Sequence, residues 1–384
     1  MDYVKVLSDL ISIDTSVPPG NNYGKAINYL EPLFKAVGFE TQKIMIPKEH
    51  ADGNEGRGNL IAHRRAPKKP RLIFYSHIDV VPAEGWDAFV PKVENRKIYG
   101  RGSADMKGSI AALLLALDSV KKKTLKYDTS VMVTTDEEVG QGSQIRYLGK
   151  FLEPVRGANF LDLDSSFGYV SIASLGAIHM DIKVNGKSVH SGLAHLGENA
   201  VEGAVRLMSA LLELKKDVVK RHSKVSANPE TGLKNMEAKL NVNVIKGGLK
   251  VNIVPDECFI SIDRRLIPEE KIETAEKELM DVMKSVKGVR WEVQKAFRIQ
   301  TTPPFEGAIA DELSRIIKEV TGKSGKYGEQ GSGDFGPVVS EEWKAKSFGL
   351  GVIRPDCNIH GKNEFVYMKD IEALSKIVTK FISG

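Results

Sequence analysis

The sequence predicts an α/β protein, a mostly parallel-sheet domain interrupted by an inserted βαββαβ two-layer sandwich. Three observations carry this. Short apolar strands alternate with amphipathic helices over residues 1–176, the pattern of a sheet covered by helices. From about residue 177 the strands take period two, with one helix after the first strand and another after the third. After residue 292 helical and apolar segments return but hold few strands. They are therefore read as completing the first domain. The expected division is 1–176 with 293–384, and an insert over 177–292. Three domains in series is the alternative.

Each element has a local cause. Val4, Leu7, Ile11 and Ile13 give an amphipathic helix that stops before Val17-Pro-Pro-Gly20, and Ile27, Leu30, Leu33 and Phe34 give a second, closed near Gly38. Arg71–Tyr75, Thr129–Thr134 and Ala158–Asp162 are apolar runs short enough for buried strands. Met106–Val120 contains IAALLLALDSV, a strongly apolar helix, and Lys121-Lys-Lys123 suits its C-terminal dipole. In the insert, Ala177–Val184, Leu240–Ile245, Cys258–Leu266 and Val289–Val293 read as strands, and Asn199–Leu214 and Ile272–Val286 as helices. Leu313–Val320, Ser347–Val352 and Ile371–Ile382 then read as helix, strand and helix.

Composition narrows the class. The 384 residues are 41% hydrophobic and 27% charged, which excludes a disordered, collagen-like or disulfide-framed chain. A net charge of +5 is no argument for nucleic acid. The two cysteines, Cys258 and Cys357, form no C-x-x-C pair, so any metal site must use His and carboxylates. No stretch approaches the ~18 apolar residues of a membrane span, and the opening MDYVKVLSDLISI does not read as a targeting segment. The expectation is a cytoplasmic protein with reduced cysteines, no membrane and no nucleic-acid partner.

Several presumed strands end in acids or histidines. His77 and Asp79 stand in Ser76-His-Ile-Asp-Val-Val-Pro82, after an apolar strand, where ligands of open α/β sheets collect. A metal-binding His with a carboxylate fixing its tautomer fits, and so does a plain Asx turn. Asp105 precedes the LLLAL helix among Gly100, Gly102 and Gly108, either as a helix cap or as a metal-bridging carboxylate. Asp136, Glu137 and Glu138 are consecutive and repel one another unless a positive charge sits among them. A metal would satisfy them, and adjacent glutamates can split the tasks of ligand and base; a solvated acidic turn reads the same. Asp162 and Asp164 end another strand, and His360 and Glu364 close the series in Asn358-Ile-His-Gly-Lys-Asn-Glu364. Two His and three carboxylates suit a two-zinc site with open positions for water.

These segments resemble the zinc amidohydrolases that include acetylornithine deacetylase, succinyl-diaminopimelate desuccinylase, aminoacylase, carboxypeptidase G and several dipeptidases. The motifs are SHIDVVP with GWDAFVP, IYGRGSADMKG, TTDEEVG, GKSVHSG, VNIVPDECFISIDRR and HGKNEFV, which span nearly the whole chain. The resemblance implies a zinc-exopeptidase-like domain with a dimerisation and lid insert. It implies two Zn²⁺ per subunit, with Co²⁺ or Mn²⁺ as substitutes. His77 resembles the ligand of one zinc, oriented by Asp79. Asp105 resembles the bridging carboxylate, often followed by a cis peptide. Glu137 resembles the general base, and Glu138 and His360 the ligands of the second zinc. His190 is similar to an insert-domain His that reaches the partner subunit's site and stabilises the oxyanion, so a homodimer is implied.

For the fifth ligand, relatives often read Glu-Pro-Thr with a Gly twelve residues later. Counting back from Gly176 selects Asp164 over Asp162, with Ser165-Ser166 where Pro-Thr would stand. Asp in place of Glu leans toward dipeptidases and aminopeptidases, Glu toward deacylases and carboxypeptidases. Asn252 and Arg265 resemble residues that grip a substrate carboxylate, a task suited to a guanidinium fork; Arg265 also reads as a strand-edge cation beside Asp263. Gly331, Ser332 and Gly333 resemble a Gly-rich loop lining the substrate pocket. The implied activity is hydrolysis of the amide in an N-acyl amino acid or small peptide with a free carboxylate. His50, His63, His179, His195 and His222 fall outside the motifs and read as surface or core residues.

Overall fold

The computed structural model describes residues 1–51, 53 and 56–384. Its centre is an eight-stranded sheet in the order Glu40–Met45, Gly58–Arg64, Asp128–Thr134, Arg71–His77, Asn159–Asp162, Lys346–Gly349, Val170–Ser174 and Lys326–Glu329. The four central strands, Asp128–Thr134 to Lys346–Gly349, run parallel. Every residue of Arg71–His77 and of Asp128–Thr134 is buried. Leu72 and Phe74 enter one core and Ile73 and Tyr75 the other, so both faces of the sheet are covered. That is why these strands read as unbroken apolar runs rather than alternating ones.

The larger core holds the apolar helix Gly108–Ser119, which packs on the C-terminal helix Met368–Ile382. The C-terminal segment thus completes the first sheet and its helix layer. Two antiparallel strands, Glu40–Met45 and Gly58–Arg64, lie outside the elements expected from sequence. The first is an edge strand that buries only Ile44, so it leaves almost no apolar signal.

A second, antiparallel sheet has the order Lys239–Gly247, Glu257–Leu266, Gly176–Asn185, Arg290–Ile299. Ile178, Met180, Ile182 and Val184 turn one of its faces onto the helices Ala200–Val218 and Ile272–Ser285. Asn199 caps the first of these, accepting from the N–H of Val201 and Glu202. His179, Asp181, Asp263, Arg265, Lys295 and Phe297 occupy the other face by strand alternation. The fourth strand runs to Ile299, past the expected insert boundary at 292. Gln294, Lys295 and Arg298 mask its period, and a register irregularity falls between Val293 and Lys295. We therefore propose that the insert extends to Ile299.

Candidate metal centre and substrate cavity

The parallel strands deliver His77, Glu137, Glu138 and Asp164 to one end of the sheet, as strand termini in α/β folds do. His77 closes its strand fully buried. Its Nδ1 lies 3.4 Å from Asp79 Oδ1 and 3.2 Å from the Asp79 carbonyl. Asp79 is itself buried, and its other oxygen accepts from the Glu138 N–H at 3.0 Å. One carboxylate thus orients a histidine and pins the loop that carries the glutamates.

Asp105 faces two histidines with its two oxygens. Oδ1 is 3.4 Å from His77 Nε2, and Oδ2 is 3.1 Å from His360 Nε2. His360 Nε2 is also 3.2 Å from Glu138 Oε2, and His77 Nε2 is 3.5 Å from Asp164 Oδ2. Ligand atoms of His77, Glu137 and Asp164 lie within 4.8 Å of one another, as do those of Asp105, Glu138 and His360. Asp105 caps no helix: the helix Gly108–Ser119 has Lys107 at its cap position. The Asp105–Met106 peptide is cis. Asp164 reaches His77, whereas Asp162 accepts from the Asp164 N–H at 2.9 Å.

The run of three acids resolves into two tasks. Asp136, in the left-handed region at φ 66°, points back into the fold, where Arg57 Nε, the Tyr23 hydroxyl and Gln144 Nε2 each donate to it at 2.8 Å. Only Glu137 and Glu138 turn to the cluster. Burial pushes Glu137 well above the usual carboxylate range, with Asp164, Glu138 and Asp79 adding to it and His77 opposing. Burial, then the charge of Asp105, pushes Glu138 up to about 7. Burial opposes a charge on His77, but Asp105, Asp164 and Asp79 outweigh it and hold the imidazole well above its usual range. Asp105 and Glu138 push His360 up to about 10.

The donor set fits divalent metal. His77 Nε2 and Asp164 Oδ1 are buried without a hydrogen bond, a costly state for polar atoms that nothing coordinates. The protons held on the imidazoles are those a divalent cation displaces when it binds. Imidazole with carboxylate suits zinc, and also cobalt or manganese.

Two residues that the sequence reading gave no task hold the loop of Asp105. Glu364 is buried and accepts from Arg101 Nη1 at 2.7 Å and from the N–H groups of Gly102, Ala104 and Asp105 at 3.0, 2.9 and 3.2 Å. Lys107, also buried, donates through Nζ to the carbonyls of Leu10 and Ile13, both at 3.0 Å. It thereby ties the end of the first helix to the loop.

Two cavities adjoin the cluster, of about 250 and about 450 Å³, and share Glu137, Ser332 and Gly333. Gly331 lines the first. A Cβ at Gly333 would stand 3.3 Å from Glu137 Oε1, so the loop backbone lies close against that acid. Arg265 lines the second cavity; its Nε donates to Asp263 at 2.9 Å and its Nη1 to the Ser332 hydroxyl at 3.0 Å. Its neighbour Arg264 points the other way, fully buried, and pairs with Glu270. His179 also lines this cavity, 3.2 Å from Asp263, and Lys295 joins it. His179 thus has a place at the site that its position outside the motifs does not suggest; its pairing opposite Asp263 is the local signal.

His190 and Asn252 line neither cavity. His190 is exposed on a two-residue strand paired with Ile253–Val254, and its Nδ1 accepts from the Gly192 N–H at 3.1 Å. Asn252, exposed beside it, accepts from the Ser191 N–H. The structure thus groups Arg265 with the cluster and separates His190 and Asn252 from it.

The profile of "Peptidase family M20/M25/M40" matches residues 73–384. The chain belongs to this family. It is accordingly a metal-dependent hydrolase of linear amide bonds. Among curated M20 relatives, a succinyl-diaminopimelate desuccinylase of Ehrlichia ruminantium (strain Gardel) is 25% identical over 398 residues, covering 100% of this chain and 97% of that one. Another, of Thioalkalivibrio sulfidiphilus (strain HL-EbGR7), is 27% identical over 332 residues, 82% and 84% of the two chains. The M20 metallo-carboxypeptidase Sso-CP2 of Sulfolobus solfataricus shares the fold, with TM-score 0.79 and 17% identity over 99% of this chain and 98% of that one. Among the described residues, no helix is long and apolar enough to cross a membrane.

Proposed function

We propose that this chain is a two-zinc hydrolase that cleaves the amide of an N-acyl amino acid or small peptide bearing a free carboxylate. The observation that carries it is Asp105, whose two oxygens face His77 on one side and His360 on the other. His77, Asp105 and Asp164 would hold one cation, and Asp105, Glu138 and His360 the second. Bound there, the cations would acidify a water and polarise the amide carbonyl. Glu137 takes a proton from the attacking water and returns it to the leaving amine as the C–N bond breaks; its burial and raised pKa suit that exchange. Asp79 fixes the tautomer of His77. Arg265, aimed by Asp263 and Ser332, receives the free carboxylate, with Asn252 supplied by a second copy of the chain.

The same reading assigns a homodimer. His190 and Asn252 are exposed and outside their own chain's cavities, which supports a role across an interface. Lys239–Gly247 is an edge strand, and Val205, Leu212, Val244 and Ile245 are exposed along it and the adjoining helix, an apolar face that a second copy would cover. Both cysteines are free and buried, which supports a cytoplasmic setting. A panel of N-acyl amino acids and dipeptides, assayed with zinc, cobalt and manganese, tests the reading. Amide hydrolysis that follows metal loading supports it, and a metal-loaded protein inert on the whole panel overturns it.

A further inference from the structure

We propose that Thr15, Tyr23 and Arg57 are positioning residues for the metal centre. With the rest of segment 10–23 they hold three of the loops that carry its ligands, and they supply no ligand themselves. This rests on the two-metal reading and deepens it.

Segment 10–23 joins the end of the helix Tyr3–Ile11 to the start of the helix Tyr23–Ala36. It bonds to three ligand loops in turn. At the first, the Thr15 hydroxyl donates to the Ile78 carbonyl at 2.6 Å. The Val80 N–H donates to the Thr15 carbonyl at 3.2 Å, and the Val17 N–H to the Val80 carbonyl at 3.0 Å. Both chain neighbours of Asp79 are therefore pinned. Asp79 is the carboxylate that faces His77 and takes the Glu138 N–H. At the second loop, Lys107 Nζ reaches back from two residues beyond Asp105 to the carbonyls of Leu10 and Ile13. At the third, the Tyr23 hydroxyl and Arg57 Nε donate to different oxygens of Asp136, the residue directly before Glu137.

Arg57 ties this third contact to the segment. Its Nη2 donates to the Pro19 carbonyl at 2.8 Å, and its guanidinium stands over the Tyr23 ring, 5.0 Å from the centroid. A Cβ at Gly20, where φ is 93°, would collide with Arg57 Nη1, so the chain closes directly on the guanidinium. Asn22 Nδ2 donates to the Asp14 carbonyl at 2.8 Å and joins the two ends of the turn. Thr15, Tyr23, Arg57 and Asp136 are all buried, so water competes little for these bonds.

The metal centre needs such a hold. Asp79, Asp105, Glu137, Glu138 and Asp164 crowd into one site, and like charges at close quarters repel. Without a cation, only bonds from outside the site keep their loops together. Asp136 also sits in the left-handed region, which a residue other than glycine keeps only where its surroundings fix it. Loops already held in the binding geometry have less freedom to lose when a cation arrives, and affinity rises accordingly.

The test deletes one hydroxyl at a time, in Tyr23→Phe and Thr15→Val, and measures zinc affinity by chelator competition. Each variant should bind zinc about tenfold more weakly, the lower end of the range for groups that orient metal ligands. At saturating zinc, kcat on the best substrate of the panel should fall while KM stays near wild type, since neither residue lines a cavity. Phe381→Leu is the control. Phe381 is buried in the C-terminal helix beside Tyr127, at the far end of the strand Asp128–Thr134 from the metals. It should lower stability and leave zinc affinity unchanged. Wild-type zinc affinity in the folded hydroxyl variants, or an equal loss in Phe381→Leu, would overturn the proposal and leave the metal reading intact. A measurement on the wild type decides the question where a variant does not fold. Zinc loading should slow amide exchange across residues 14–23 about tenfold, and leave the helix Ile272–Ser285 unchanged. Exchange over 14–23 that ignores zinc would overturn the proposal. If the wild type binds no zinc, the metal reading fails and the positioning role falls with it. Zinc bound as expected with nothing hydrolysed overturns the amidase reading alone.

Discussion

Arg101 Nη1 donates to Glu364 Oε2 at 2.7 Å, with both side chains almost wholly buried. Glu364 also collects three N–H groups of the loop that ends in Asp105. Removing one partner of a buried pair leaves an uncompensated charge, which costs about 3–5 kcal/mol. Glu364→Ala should lower unfolding stability by that order. Because the loop positions Asp105, metal affinity should fall about 10–100-fold as well. Denaturant unfolding and a chelator-competition titration measure the two losses, and unchanged metal affinity would confine Glu364 to a purely structural role.

Glu137→Gln separates the base from the ligands. Its side chain stays isosteric but cannot take a proton, and general-base contributions run to about 10²–10⁴-fold. Turnover should fall by that order, with about two metal equivalents per chain retained. Elemental analysis beside steady-state kinetics checks both numbers. A variant that keeps its metal and full turnover would remove Glu137 from the base position. Chelation of the wild type should abolish activity and lower the thermal midpoint, since a ligand held at about 100 times its Kd stabilises by about 2.7 kcal/mol.

Arg265 and Arg264 are adjacent and should behave differently. Arg265 lines the cavity, while Arg264 is fully buried against Glu270. Arg265→Ala should lower kcat/KM about 10–100-fold for substrates with a free carboxylate, the range of a charge-assisted hydrogen bond, and much less for their amides. Arg264→Ala should instead lower stability, leaving Glu270 without one of its two arginine partners. Kinetics on an acid and amide pair, with parallel unfolding curves, distinguishes them; equal losses on acid and amide would count against the carboxylate grip.

His63 supplies a pH test remote from the metals. Burial, then the charges of Arg71 and Arg65, lower its imidazole from 6.5 to about 4. The unfolded chain therefore binds the proton more tightly, so this contribution to stability is present above about pH 6.5 and is lost as pH falls toward 4. Thermal unfolding in chelator from pH 7 to 4.5 should show a decline that His63→Gln makes shallower. A variant with the same slope as wild type would exclude His63 as a source of acid sensitivity.

Legibility in the sequence followed the physics of each element. Arg71–His77 and Asp128–Thr134 were readable because a strand buried on both faces must be apolar throughout. Glu40–Met45 was not, because an edge strand needs only Ile44 inside. His77, Asp105, Glu137, Glu138, Asp164 and His360 were found as strand-end residues and as motif positions, and the fold brings all six within one cluster. Glu364 stood in a recognised segment but received no task, since nothing local says that its acceptors reach a loop some 260 residues away. Asp136 looked equivalent to its two neighbours. Only its left-handed backbone and its partners Arg57 and Tyr23 turn it inward. Lys295 carried no signal either, because its use depends on which strands flank it.

The proposed dimer makes a prediction that does not depend on seeing the interface. If His190 serves the partner's site, Glu137→Gln and His190→Ala are lesions in different chains of any mixed dimer. In that dimer the chain carrying His190→Ala retains Glu137 and receives an intact His190 from its partner, while the other site carries both lesions. Random exchange makes half the dimers mixed, so roughly a quarter of all sites should recover wild-type composition. Two nearly inactive preparations, mixed under conditions that exchange subunits, should then regain roughly a quarter of wild-type kcat/KM. If His190 acts within its own chain, mixing restores nothing, because each chain keeps its own lesion. Sedimentation of the unmixed enzyme fixes the oligomeric state, and a monomer at assay concentration would remove the basis of the assignment. Charged substitutions at Val244 and Ile245, exposed on the edge strand, should lower both the dimer fraction and the activity together.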